Sequence, residues 1–133
     1  MNDLNTRLLL NISLPGMIAG ILELTGLFDD YIWLFWTGYW VFMGLVISRR
    51  MKKGQFLHGM IAGAAAYALA VAVKLLGYEM YIENSAAAMA LINSLPEDVN
   101  PRIYIASTGL IVSIISGVAS GFITLSLAKL KGK

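Results

Sequence analysis

Residues 56–78 read FLHGMIAGAAAYALAVAVKLLGY, an apolar stretch in which Lys74 is the single charged residue. As a helix, these 23 residues extend about 35 Å, and the hydrocarbon core of a bilayer is about 30 Å thick. The stretch is therefore long enough and apolar enough to cross a membrane as a helix.

Three more stretches of this kind occur, at residues 8–28, 31–48 and 103–128. The chain is 58% hydrophobic and 14% charged, whereas about 25% of the residues in a soluble domain are charged. We predict an all-α integral membrane protein, a bundle of four transmembrane helices that forms a single membrane domain over residues 1–133. Met1–Arg7 is a short polar lead, and no cleavage site of the Ala-x-Ala type follows the first apolar run, so we expect a retained first span rather than a removed signal peptide.

The basic residues fall mainly on one side of the four predicted spans. Eight of the ten lie before span one, between spans two and three, or after span four: Arg7, Arg49, Arg50, Lys52, Lys53, Lys129, Lys131 and Lys133. The positive-inside rule then predicts a multi-pass protein of the cell membrane with both termini in the cytoplasm.

The basic turn at residues 49–53 has two interpretations, a topology determinant or a contact with anionic lipid headgroups. We expect the lipid bilayer as a partner. We expect no nucleic-acid partner, since a short turn lacks the extended basic face that such binding needs.

The connections between the spans differ in length. Residues 28–31 predict a tight turn that makes spans one and two antiparallel neighbours. Residues 79–102 form one larger outer segment, and within it the run from Ser85 to Leu95 favours a short outer helix before Pro96. That helix could rest at the membrane surface, cover the mouth of the bundle or meet a partner.

The sequence GMIAG occurs twice, at residues 16–20 in span one and at residues 59–63 in span three. Duplication of a two-helix unit and chance recurrence of common membrane residues both explain this repeat. In either case, small residues four apart allow another helix backbone to approach closely. We predict helix-packing faces on spans one, three and four that include Gly16, Gly20, Gly59, Gly63, Gly109, Ser113, Gly117 and Gly121.

Aromatic residues recur on span two, where Trp33, Trp36 and Trp40 follow one another at helical spacing. An aromatic belt facing lipid headgroups explains this stripe, and we favour that interpretation. A box for an aromatic ligand is the alternative.

Two charged residues lie inside predicted spans at similar depth, Glu23 in span one and Lys74 in span three. Each shares a helix stripe with the small residues of its span, so we predict that the two form an intramembrane charged pair. The pair has a structural interpretation and a functional one, as an ion or proton site. We interpret His58 as an interfacial residue, with a proton-sensing role as the alternative. We expect Pro15 to kink span one and free the Asn11 carbonyl.

The sequence contains no constellation of residues typical of catalysis. It has no cysteine, a single histidine, and no cluster at metal-ligand spacing, so we expect no enzyme, no metal and no cofactor. Two function classes remain. The first, which the glycine faces favour, is a non-enzymatic scaffold or accessory subunit in a homo-oligomer or larger membrane complex. The second is a homo-oligomeric channel or transporter for an ion or small solute that uses Glu23 and Lys74.

Overall fold

The computed structural model describes residues 4–132, and this part of the chain is helical, with no strand. Its seven helices are α1 (Thr6–Ser13), α2 (Gly16–Thr25), α3 (Ile32–Arg50), α4 (Gln55–Leu76), α5 (Tyr78–Asn84), α6 (Ala86–Asn93) and α7 (Pro101–Lys131). Four segments are long and apolar enough to cross a membrane: α1 with α2, then α3, α4 and α7. The predicted all-helical class and four candidate spans are therefore confirmed.

The first span is broken between α1 and α2, as Pro15 predicts. Proline has no N–H, so the Asn11 carbonyl loses its helical partner, and the turn closes with shorter i to i+3 hydrogen bonds. The next carbonyl, that of Ile12, accepts a hydrogen bond from the Tyr39 hydroxyl of α3. A side chain of the second span thus stabilises the break in the first.

The C-terminal end of α2 lies earlier than the predicted end of span one at residue 28. Gly26 has a φ of 66°, a left-handed conformation that ends the helix and favours glycine. A Cβ atom at Gly26 would overlap the Asn84 carbonyl, and the Asn84 amide donates to the Leu24 carbonyl at 3.0 Å. The connection to α3 is therefore longer than a tight turn, and it packs against the segment between α5 and α6.

Helix α4 is the central element of the packing. It makes its most extensive contact with α7, and it also contacts α1, α2 and α3. Helix α2 packs more extensively against α4 than against α3, its neighbour in sequence. The first and third spans are therefore close partners, although a whole helix separates them along the chain.

Glycines and other small residues allow these close contacts. Gly16 and Gly20 lie against the backbone at Ala66 and Ala70, so a Cβ atom at either glycine would overlap α4. Helix α4 also meets α7, where Gly59 and Gly63 approach Thr124 and Ser120. The α7 glycines approach α4 in the same way: Gly109 meets Val71, Gly117 meets Met60 and Gly121 meets Phe56. Ser113 is buried among them and donates to the Gly109 carbonyl at 2.7 Å.

Large apolar side chains lie mainly on the outside of the described chain. On α7 the exposed set is Ile103, Leu110, Ile111, Ile114, Ile115, Phe122 and Leu130. The interior is built from small residues with a few large ones, chiefly Met43 and Ile47 of α3. This distribution suits a surrounding apolar phase, because lipid removes the penalty that water imposes on exposed apolar surface.

Candidate functional site

The Glu23 and Lys74 side chains meet between α2 and α4. The Lys74 Nζ atom lies 3.3 Å from Glu23 Oε1, and the two side chains are 8% and 13% exposed for Lys74 and Glu23 respectively. The contact follows from the packing, because Gly16 and Gly20 bring α2 onto α4 and place the next turn of α2 beside Lys74.

Two tyrosine rings flank the Lys74 ammonium. Its Nζ atom lies 5.7 Å from the centre of the Tyr67 ring and 5.5 Å from the centre of the Tyr81 ring. Both distances are within the range of cation–π attraction. Lys74 is therefore held by one carboxylate oxygen and two aromatic faces.

Tyr81 belongs to α5, outside the four candidate spans. Burial raises the pKa of the Tyr81 hydroxyl to about 12, and the nearby carboxylates of Glu23 and Asp29 act in the same direction. The phenol is therefore neutral at physiological pH, and it faces Lys74 as an uncharged ring.

The two carboxylate oxygens of Glu23 differ in their hydrogen bonding, since only Oε1 contacts Lys74. Within the described residues Glu23 Oε2 is buried and has no hydrogen-bond partner. An unpaired buried carboxylate oxygen costs free energy, so it is a strong acceptor for any donor that reaches it.

Glu23 also lines a cavity of about 290 Å³ between α2, α3, α4 and α7. The lining residues are Glu23, Ile32, Trp33, Trp36, Thr37, Trp40, Tyr67, Val112, Ile115 and Ser116. The walls are thus mostly aromatic and aliphatic, and Glu23 is the one charged residue of the lining. Small-molecule sites commonly combine such apolar walls with one or two fixed polar groups.

The aromatic stripe of α3 faces the protein more than the belt interpretation predicts. Trp33 is 60% exposed, but Trp36 is only 6% exposed and packs 5.0 Å from the Tyr67 ring. Trp40 donates its indole N–H to the Ser116 hydroxyl at 3.0 Å. The lipid-facing belt is therefore wrong for Trp36, because helix α3 turns this side of the stripe towards α4 and α7.

His58 lies in the first turn of α4 and is fully buried within the protein, and its position at the membrane interface stays a prediction. Its Nδ1 atom lies 2.9 Å from the Gly54 carbonyl, and its Nε2 atom accepts a hydrogen bond from the Asn5 backbone N–H at 3.2 Å. The carbonyl can only accept, so Nδ1 donates in this contact. Asn5, the residue before α1, thus lies against the histidine at this end of α4.

Two tyrosines, Tyr67 and Tyr81, complete the arrangement, and neither was predicted from the sequence to belong to it. Tyr67 lies two turns before Lys74 on the same face of α4, a spacing that could have identified it. Tyr81 had no such signal, because its partner Lys74 belongs to another helix.

The site can accept hydrogen bonds and hold a positive charge, and its described residues include no nucleophile activated by a base. Comparisons with protein families, with curated proteins and with solved structures found no match to this chain.

Proposed function

We propose that the protein is a four-helix bundle of the cell membrane, with both termini in the cytoplasm and α6 on the outer side. The distribution of charge supports this orientation. Arg7 and Arg50 line one cavity, and Arg49, Lys52 and Lys131 line another, so the basic residues of three chain segments lie at one end.

A cysteine-accessibility experiment tests this orientation. A single cysteine replacing Lys52 should resist an impermeant thiol reagent in intact cells and react after the membrane is opened. A single cysteine replacing Asn93, at the end of α6, should react in intact cells. The chain has no native cysteine, so each variant has one thiol. Reaction of the Lys52 variant in intact cells would overturn the orientation.

For its activity, we propose that the protein binds and moves a small solute across the membrane, with Glu23 at the binding site and Lys74 as the charged partner of Glu23. One observation carries this proposal: Glu23 lines the aromatic cavity, and its buried carboxylate has an oxygen without a partner among the described residues. Ionisable groups inside spans commonly mark the paths of ions and solutes. Four spans rarely enclose a path alone, so the proposal includes a homo-oligomer.

The accessory-subunit function is the second candidate. The glycine faces that favoured it are filled by helices of the same chain, so a partner would have to use another surface. The exposed apolar face of α7 is the observation that supports such a surface. Lipid covers an apolar face equally well, and we therefore place solute movement first.

Reconstitution separates the two functions. Purified protein in vesicles should give solute or proton flux under an imposed gradient, and Glu23→Gln should abolish it. Glu79→Gln is the matched control, since Glu79 is exposed and does not line the cavity. Native mass spectrometry of the same protein gives the subunit number. Wild-type vesicles without flux, together with a co-purified membrane protein, would favour the accessory function.

A further inference from the structure

We propose that the cavity beside Glu23 binds a protonated amine attached to a small apolar or aromatic body, with the Glu23 carboxylate accepting the N–H hydrogen bond. This inference rests on the proposed solute-binding function and names the chemical class of the solute. It follows from the charge of the lining, from the aromatic walls and from the free acceptor.

The Glu23 carboxylate favours a positively charged ligand. Oε1 of Glu23 accepts from Lys74 at 3.3 Å, while Oε2 has no partner among residues 4–132. A donor on the ligand would satisfy Oε2, and a positively charged donor makes the stronger hydrogen bond. A ligand carboxylate would instead place a second negative charge beside Glu23.

The aromatic walls of the cavity favour the same charge. Trp33, Trp36, Trp40 and Tyr67 surround the cavity, and the faces of such rings attract cations. The protein already uses this attraction, because the Lys74 ammonium lies near the Tyr67 ring. An ammonium group in the cavity would meet rings of the same kind.

The size of the cavity and the charges near it also bear on the ligand. A volume of about 290 Å³ lies at the small end of ligand sites, which suits a single ring with a short chain. Lys74 does not line the cavity, yet its charge partly offsets that of Glu23. The affinity for an amine should therefore rise when the Lys74 charge is removed.

The tryptophans make binding directly measurable. All three tryptophans of the chain line this cavity, so their fluorescence reports on its occupant. The full-length protein in lipid nanodiscs is titrated at neutral pH with 2-phenylethylamine, 2-phenylethanol and 3-phenylpropionate, which carry a positive, a neutral and a negative group. We expect a saturable change with the amine and at least about tenfold weaker binding of the other two probes.

The variants test the role of each charge. Glu23→Gln should weaken amine binding at least about tenfold, and Glu79→Gln should leave it unchanged. Lys74→Met should bind the amine more tightly than wild type. A misfolded variant does not gain affinity, so this increase cannot come from damage to the fold.

Several outcomes would overturn the inference. Binding of the alcohol or the carboxylate as tight as that of the amine, or unchanged amine binding in Glu23→Gln, would show that the ligand class is wrong, although a solute site could remain. No saturable signal from any probe would mean a cavity that holds water only. If vesicle flux were absent as well, the proposed function itself would fail.

Discussion

The two copies of GMIAG have the same five residues and different surroundings. In the first copy, Gly16 and Gly20 lie against the backbone of α4. In the second copy, Gly59 and Gly63 lie mainly against Thr124 and Ser120 side chains of α7. The first copy thus joins spans one and three, whereas the second joins spans three and four.

This difference bears on the origin of the repeat. If the chain were two related hairpins, the first copy should meet span two as the second meets span four. Its main partner is span three instead. The comparison therefore favours chance recurrence, and it teaches that a small-residue motif permits close approach without selecting the partner helix.

The residues that follow each copy also differ. Seven residues after Gly16 the chain has Glu23, and seven residues after Gly59 it has Ala66, which is fully buried. The first copy is therefore followed by Glu23, a charge that needs a partner. The second copy is followed by Ala66, which belongs to the surface of α4 on which Gly16 packs.

The largest expected effect on stability comes from substitutions that disrupt the close helix contacts of the two copies. Gly16→Leu and Gly63→Leu should each lower stability by more than about 3 kcal/mol, because the new side chain must separate two helices. Gly38→Leu is the control, since a Cβ atom there meets nothing within 4 Å. The measurement is thermal unfolding in detergent. Equal tolerance at all three positions would contradict the packing of both copies.

The next effect concerns Glu23, a charged residue that follows the first copy and has no counterpart after the second. Glu23→Gln and Lys74→Met should each cost about 2–3 kcal/mol, because each leaves a partner charge in a poorly hydrated place. The double variant should recover part of this loss, and a double-mutant cycle on unfolding measures the coupling. A coupling energy near zero would mean that the two side chains act separately.

A milder substitution sharpens the comparison between the copies. Gly16→Ala should cost about 1–2 kcal/mol more than Gly59→Ala, because its methyl group meets the Ala66 carbonyl, which cannot move alone. At Gly59 the nearest atom is the Thr124 hydroxyl oxygen, which can rotate away, and the backbone atom that the methyl group meets, the Ser120 carbonyl oxygen, is more distant at 3.0 Å. Thermal unfolding of the two variants side by side gives the difference, and a larger cost at Gly59 would reverse the interpretation.

The smallest expected effect concerns the helix break at Pro15, which precedes the first copy. No such break precedes the second copy within α4. Tyr39→Phe removes the hydroxyl that donates to the Ile12 carbonyl and should cost about 1 kcal/mol. Tyr31→Phe is a control, because Tyr31 is 63% exposed. Hydrogen exchange at the turn around Pro15 should increase in Tyr39→Phe only.

Part of the candidate site could be predicted from the sequence. The depth and helix phase of Glu23 and Lys74 suggested their meeting, and the structure brings them to 3.3 Å. The cavity beside them could not be predicted, since four helices contribute to its lining. The belt interpretation failed for Trp36 because helical spacing alone does not say which side of an aromatic stripe faces the protein.

The sequence by itself determined the four helical spans, the break at Pro15 and the stripes of small residues. These features depend on local properties: length, hydropathy, the missing proline N–H and the period of the helix. The tertiary structure decided the partners of each stripe, the burial of Trp36 and His58, and the contact between Tyr39 and the break. The physical reason is that lipid and the protein interior are both apolar, so hydropathy does not distinguish a buried helix face from an exposed one.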